Sequence, residues 1–145
     1  QTFVVMRKSP RLADSSSQEC LKLLTVLLKH YTKYSPTNTQ LNFLMRLVAP
    51  DIEKTENQNG IFSFLKAIIS RGIVIPSVYD LMDKVSMVMI SSGSDSTRRT
   101  AGQVFLQYLL DYPMNDNRRK HHLEFVIKNC DFAHETGRLS MLELI

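Results

Sequence analysis

Residues 104 to 122 read VFLQYLLDYPMNDNRRKHH, and the fold prediction starts from this stretch. Its first half places apolar side chains at steps of three and four residues, the spacing of one face of an α-helix. Tyr112 precedes Pro113, and a residue before proline is pushed out of the helical conformation, so the helix ends there. Asp111 places a negative charge at the C-terminal end of this helix, where the helix dipole disfavours it. We therefore expect its carboxylate to cap the helix or to pair with a group across the turn. Residues 115–117 then start another helix, so the stretch predicts two helices joined by a structural turn at Asp111, Tyr112 and Pro113.

The same periodicity recurs along the chain, in segments bounded by proline, glycine or polar residues. Ser15 to Ser17 are predicted N-caps of one helix, and Asp95 or Ser96 of another. Gly72 is predicted to end a helix in the left-handed conformation and Pro76 to begin the next, although the IVIP sequence between them also fits a short strand. We predict seven helices: residues 15–34, a second that carries 41–48, residues 61–71, a fourth from 76 that stops at the 91–94 cluster, residues 97–112, a sixth that starts at 115–117 and carries 130, and a seventh from 137.

The helix starts indicate a repeat. Alternate helices begin near residues 15, 58, 95 and 137, a period of about 40 residues that is typical of HEAT and armadillo helix pairs. Such pairs bury their apolar faces by stacking on their neighbours. We therefore predict an all-α fold, a HEAT/armadillo-like α-solenoid of antiparallel helix hairpins, with a closed helical bundle as the alternative. Residues 1–14 form an N-terminal extension in this prediction, and residues 15–145 form the repeat segment, with breaks near 55–60, 91–96 and 131–136.

Composition excludes several classes of protein. The chain has 18 lysines and arginines against 14 acidic residues, a net charge of +4 that is too small for a histone-like nucleic-acid binder. Cys20 and Cys130 favour reduced thiols over a disulfide framework. No apolar run is long enough for a membrane span or a signal peptide, so we expect a soluble, intracellular protein. The chain lacks a first methionine and its apolar pattern runs to Ile145, so we also expect a segment of a longer protein.

Motifs for catalysis and metal binding are absent from the sequence. The SSGSD stretch at residues 91–95 lacks the Gly-Lys-Ser/Thr of a phosphate-binding loop, and there is no Gly-x-Ser-x-Gly elbow. Adjacent histidines on a helix point about 100° apart, which disfavours a shared metal ion. We therefore predict no enzyme, no cofactor and no metal. The rejected zinc ligands are His121, His122, Cys130, Asp131 and His134.

Two clusters of cations are the candidates for contacts with RNA phosphates. Arg98 and Arg99 lie near the start of one predicted helix, and Arg118, Arg119 and Lys120 lie near the start of the next. Equivalent helix starts line up along a solenoid, which would bring the two clusters near each other. Aromatic residues for base stacking are not interleaved with these cations, so sequence-specific RNA recognition is not expected. Phosphate contact and an ordinary solvated helix start both remain open, and the sequence favours the second.

Four strings resemble one known family. They are IFSFLKAIISRG (61–72), IPSVYDLMDKV (75–85), VFLQYLLDYP (104–113) and HETGRLSMLELI (134–145). They occur in the order and at the spacing of the Down-Regulated-In-Metastasis family, also called small-subunit processome component 20, and they are spread over more than half of the chain.

The resemblance implies a segment of a very long helical-repeat protein of the nucleus and nucleolus. Such proteins are scaffolds of the small-subunit processome, where they act in pre-ribosomal RNA processing and 18S RNA maturation. The implied partners are other pre-ribosomal assembly proteins and the backbone of pre-ribosomal or small nucleolar RNA, with no membrane and no small-molecule substrate. The alternatives are a HEAT-type adaptor outside ribosome biogenesis and a small helical enzyme or metal protein.

Overall fold

The structure is a computed structural model that describes residues 2–8, 14–54 and 56–129. These residues contain seven helices and no strand, so the all-α prediction is confirmed and the IVIP stretch does not form a strand. The chain forms two compact units, unit 1 (Gln1–Leu81) and unit 2 (Met82–Ile145). The helices are α1 (Thr2–Lys8), α2 (Ser15–His30), α3 (Asn38–Val48), α4 (Gln58–Ser70), α5 (Pro76–Ser91), α6 (Asp95–Asp111) and α7 (Asp116–Asn129).

The described helices are not the same set as the seven predicted helices. Helix α1 lies inside the predicted N-terminal extension, where it contacts α2 and buries Met6 completely. A seven-residue helix rich in β-branched residues has little stability of its own, so its packing accounts for it. The helix predicted over 137–145 and the break predicted near 131–136 lie outside the described residues. None of the described helices combines the length and the apolar character needed to cross a membrane.

Alternate helices lie side by side in unit 1. Helix α2 packs against α4, with α3 between them in the sequence. Leu21, Leu24 and Leu28 form the buried stripe of α2 at steps of three and four residues. Packing between helices n and n+2 is how helix hairpins stack in HEAT-like repeats, so the helix packing of unit 1 agrees with the predicted fold class. The buried apolar residues of α4 are Ile61, Phe62, Phe64, Leu65, Ala67, Ile68 and Ile69.

Several helix ends follow local sequence signals. Thr37 and Gln40 form a capping box at the start of α3: the Thr37 hydroxyl accepts from the Gln40 N–H at 3.3 Å, and the Gln40 side chain accepts from the Thr37 N–H at 2.9 Å. Gly72 has a φ of 60°, as predicted for a left-handed residue after α4. Pro76 is the first residue of α5, also as predicted. These features depend on neighbouring residues alone, and the sequence signals for them are correspondingly strong.

Other helix ends differ from the predictions. Asp14, rather than Ser15 to Ser17, is the N-cap position of α2, although its side chain makes no capping hydrogen bond. Ser94, rather than Asp95 or Ser96, caps α6, because the Ser94 hydroxyl accepts from the Thr97 N–H at 3.3 Å. The prediction therefore placed both N-cap positions one or more residues too late.

The end of α2 is held by the side chain of Arg71, which follows α4. Its guanidinium donates hydrogen bonds of 3.0 to 3.1 Å to four backbone carbonyls. The last carbonyls of a helix lack intrahelical donors, and a planar guanidinium can supply several donors at once. Helix α2 ends at His30, four residues before the predicted end. The four acceptors are the carbonyls of Leu28, Tyr31, Thr32 and Tyr34.

We expect Arg71→Met to destabilise the protein by about 2 kcal/mol, because hydrogen bonds to a charged group typically contribute about 1.5–3 kcal/mol and this side chain is only partly buried. Arg71→Lys should lose less, since an ammonium group keeps the charge and some of the donors. Urea denaturation followed by circular dichroism measures both changes. Lys33→Met, which removes an exposed cation of the same unit, is the control. Equal stability of Arg71→Met and wild type would contradict the assigned role of Arg71.

Candidate interaction surface on helix α7

Helix α7 begins where the sequence predicts a helix start. The Asn115 side chain accepts a hydrogen bond from the Arg118 N–H at 2.9 Å, which satisfies one of the unpaired donors of the first turn. Asp116 places a negative charge in that turn, where the helix dipole favours it. The first turn is therefore stabilised locally in spite of the cations that follow it.

The inward-facing side chains of α7 are His122 and Val126, which are 2% and 5% exposed. His122 lies edge-on to the rings of Phe105 and Tyr108, with ring centroids 5.6 and 5.3 Å away. Its Nε2 lies 3.2 Å from the Tyr108 hydroxyl, within hydrogen-bonding distance. The view of this basic stretch as an exposed helix start is therefore wrong for His122. The imidazole occupies the space beside two aromatic rings. An aliphatic side chain could also fill this space, but it could not form a hydrogen bond with the Tyr108 hydroxyl.

Burial lowers the pKa of His122 below its ordinary value of 6.5. The Asp83 carboxylate, 3.9 Å from Nδ1, opposes this effect, whereas His121 and Arg118 add to it. The lowered pKa favours the neutral ring at pH 7. Asp83 is itself largely exposed, so solvent weakens its attraction for a protonated ring and the effect of burial prevails.

A polar pocket of about 430 Å³ opens beside His122. Its amide, imidazole and guanidinium groups can donate hydrogen bonds, but the carboxylate of Asp83 lies in the same wall. That negative charge disfavours a phosphate inside the pocket. The lining residues are Asp83, Asn115, Asn117, Arg118, His121 and His122. Among the described residues, no group of three or more His, Cys, Asp or Glu side chains is arranged to hold a metal ion; Cys130, Asp131 and His134 lie outside them.

The structure separates the predicted phosphate-contact residues into two groups. Arg98 is 5% exposed, donates to the Ser92 carbonyl just after α5 and forms an ion pair with Asp95. It therefore stabilises a helix end, and its predicted exposure to RNA is wrong. Arg99, Arg119 and Lys120 are exposed, and Arg118 is partly exposed. Lys120 lies 3.9 Å from Glu124 on the surface, a distance and exposure at which an ion pair contributes little to stability.

The two cation clusters lie towards different ends of α6. Arg99 precedes Tyr108 by nine residues, or about 14 Å of helix. Arg118 to Lys120 lie at the start of α7, which approaches α6 through the contact of His122 with Tyr108. The clusters thus lie on consecutive helices of unit 2, and their proximity stays a prediction.

The structural turn after α6 has the predicted backbone. Tyr112 leaves the helical conformation with φ −86° and ψ 133°, and its side chain is 1% exposed. Pro113 follows in an exposed position. Asp111 is also exposed, as the last residue of α6, and its pairing across the turn stays a prediction.

Comparison with known proteins identifies the family. No protein-family model matches the chain. Over 141 residues, 97% of its length, the chain is 30% identical to U3 small nucleolar RNA-associated protein 20 of Saccharomyces cerevisiae. It belongs to the U3 small nucleolar RNA-associated protein 20 family. A relative of the same name from Schizosaccharomyces pombe is 29% identical over 145 residues, the whole of this chain.

Membership of the U3 small nucleolar RNA-associated protein 20 family agrees with the resemblance of the four quoted strings. The chain spans 6% of the length of each of these two relatives. The match extends through unit 1 and unit 2 alike, including the first 60 residues, where the quoted strings do not reach.

Sequence reasoning missed Arg71, the burial of His122 and the position of Asp83. A weak signal existed for His122, because it precedes Val126 by four residues and so shares its helix face. No local signal existed for Arg71, whose acceptors lie 37 to 43 residues away.

The lowered pKa of His122 predicts how stability changes with pH. The unfolded state binds a proton at a higher pH than the folded state, so the contribution of His122 is complete above a pH of about 6.5 and is lost as pH falls through the folded-state pKa. We expect a lower free energy of unfolding at a pH of about 5.5 than at 7.5, measured by urea denaturation. His122→Gln should reduce this difference, whereas His30→Gln, which changes an exposed histidine of α2, should preserve it. An identical pH dependence in wild type and His122→Gln would refute the prediction.

Proposed function

We propose that this chain is a structural segment of a ribosome-assembly protein, a scaffold of the small-subunit processome that acts in nucleolar pre-ribosomal RNA processing and 18S RNA maturation. The observation that carries the proposal is the 30% identity over 97% of the chain with a protein named for its association with U3 small nucleolar RNA. Because the chain spans only 6% of that relative, the proposal assigns it a part in the larger protein's role. The proposed location is the nucleus, within the nucleolus.

The proposed mechanism is architectural and involves no catalysis, cofactor or small-molecule substrate. In unit 1 the stacking of α2 on α4 and the hydrogen bonds of Arg71 fix the helices with respect to each other. Rigidly stacked helices present side chains at fixed separations, which is what a scaffold needs in order to hold several partners. The proposed partners are other pre-ribosomal assembly proteins.

The backbone of pre-ribosomal or small nucleolar RNA is the second proposed partner. Arg119 and Lys120 are exposed in the first half of α7, next to the partly exposed Arg118. Cations on a helix surface attract phosphates without reading sequence, as expected for a scaffold on folded RNA. Arg99 supplies a further exposed cation in α6, whereas the buried Arg98 is left out of this proposal.

We expect the protein that contains this chain to concentrate in the nucleolus and to co-purify with U3 small nucleolar RNA and with precursors of 18S RNA. Immunoprecipitation of a tagged protein followed by RNA quantification measures the second property. Depletion of the protein should cause unprocessed precursors of 18S RNA to accumulate. A cytoplasmic protein without associated precursor RNA would refute the proposed role and favour an adaptor outside ribosome biogenesis.

RNA contact by the exposed cations predicts a salt dependence. Each contact with a single-stranded phosphate contributes about −0.7 to the slope of log K against log salt concentration. Four contacts, one each from Arg99, Arg118, Arg119 and Lys120, therefore give a slope of about −2.8. Replacing Arg118, Arg119 and Lys120 with glutamine should reduce the slope to about −0.7, as measured by fluorescence anisotropy with a labelled oligouridine.

The matched control removes three exposed cations of unit 1, Lys22, Lys29 and Lys33, and so changes the net charge by the same amount. If both triple variants change the slope equally, the effect is one of net charge and the α7 cations make no specific contact.

A further inference from the structure

Two large apolar side chains of α7 face the solvent. Leu123 and Ile127 are 48% and 68% exposed, although the sequence pattern groups them with Val126 on one apolar face. They lie one turn apart, so they are neighbours on the helix surface. Each is turned about 100° from its inward-facing neighbour, since His122 precedes Leu123 and Val126 precedes Ile127. The burial of His122 and Val126 therefore leaves this apolar pair uncovered.

The charges beside this pair are mainly positive at its N-terminal side. Arg119 and Lys120 precede Leu123 by four and three residues, which places both one turn away. Lys120 is 77% exposed, and the Glu124 carboxylate lies 3.9 Å from its ammonium group. The positive end of the helix dipole adds to the potential there. The outer surface of α7 thus combines the apolar pair Leu123 and Ile127 with the cations Arg119 and Lys120 on its N-terminal side.

We propose that this surface, the α7 docking face formed by Arg119, Lys120, Leu123 and Ile127, binds an acidic amphipathic helix of a partner protein. The apolar residues of the partner helix, spaced at three and four residues, pack on Leu123 and Ile127. Its carboxylates pair with Arg119 and Lys120, which gives orientation and selects against basic partners. The inference rests on the proposed scaffold function and adds to it the surface and the chemical class of one protein partner.

At the apolar pair itself a protein helix is favoured over RNA, whose phosphates, as proposed above, need only the cations. Bases are held by stacking on aromatic rings or guanidinium planes and by hydrogen bonds, and the side chains of Leu123 and Ile127 offer neither. A second copy of the chain is also disfavoured, because it presents the same cations and lacks the complementary charge. An acidic helix matches both the apolar and the cationic components of the face.

The test uses the isotope-labelled 145-residue chain and a synthetic helical peptide of about 20 residues, with leucines at i, i+3, i+4 and i+7 and glutamates on its flanks. We expect saturable binding, with NMR shift changes at Leu123, Ile127 and Arg119. Leu123→Gln combined with Ile127→Gln should weaken binding at least about tenfold, equivalent to 1.4 kcal/mol. Both side chains are exposed, so this variant should keep the wild-type circular dichroism spectrum.

Matched controls identify the cause of any loss. Leu110→Gln changes a 72% exposed leucine of α6 and should leave binding unchanged. A peptide with lysine in place of glutamate should bind at least about tenfold more weakly to wild type. The inference is overturned if the acidic peptide does not bind saturably, if the lysine peptide binds as well, or if the double variant binds equally. It is also overturned if only oligouridine binds, or if the double variant only abolishes self-association of the chain.

The outcome is separable from that of the proposed function. Peptide binding depends on the α7 docking face alone, whereas co-purification with precursor RNA depends on the whole protein. Normal association with precursor RNA but no peptide binding removes only the docking face. Peptide binding without precursor RNA association removes the role in ribosome assembly and leaves a protein-binding surface whose partner lies elsewhere.

Discussion

The end of α2 and the turn after it leave backbone carbonyls without helical donors, and Arg71, which follows α4, donates to Leu28 in the helix and to three carbonyls just beyond it. This requirement recurs wherever short helices follow one another, since each turn leaves several backbone groups unpaired. In unit 2 the buried Arg98 donates in the same way to the Ser92 carbonyl after α5. Two arginines thus donate hydrogen bonds to backbone carbonyls at or just after helix ends. Such bonds help to hold the helices in the positions at which their apolar faces pack. A guanidinium suits this role because it offers several donors in one plane.

The interior of unit 2 shows how a polar residue can decide the orientation of a helix. His122 forms T-shaped contacts with two aromatic rings, its Nε2 lies within hydrogen-bonding distance of the Tyr108 hydroxyl, and its burial lowers its pKa. Burying an imidazole without a hydrogen-bond partner would cost folding free energy. The orientation of α7 that buries His122 is therefore the one that also places it beside the Tyr108 hydroxyl. The same orientation turns Leu123 and Ile127 towards solvent. One internal contact therefore determines which side chains the helix offers to partners.

The similarity to the U3 small nucleolar RNA-associated proteins extends over the whole chain, but the chain spans 6% of their length. The polar pocket beside His122 contains one carboxylate among several donors and no metal-binding group of three ligands among the described residues. The exposed side chains of the described α7 include cations, carboxylates and an apolar pair. Under the proposed scaffold function, the spacing and orientation of these surfaces would hold the partners.

The sequence by itself determined the all-α class, the approximate helix boundaries, the left-handed Gly72, the start of α5 at Pro76 and the extended Tyr112 before Pro113. These features depend on steric restrictions and side-chain spacing within a few residues. The four family strings also indicated the family that the comparison identified. Only the tertiary structure decided that Arg71 and Arg98 donate to backbone carbonyls at or just after helix ends. It also decided that α1 forms in contact with α2, and that α7 buries His122 while Leu123 is exposed. Burial and pairing depend on residues distant in sequence, and helical periodicity specifies a helix face without specifying its neighbour.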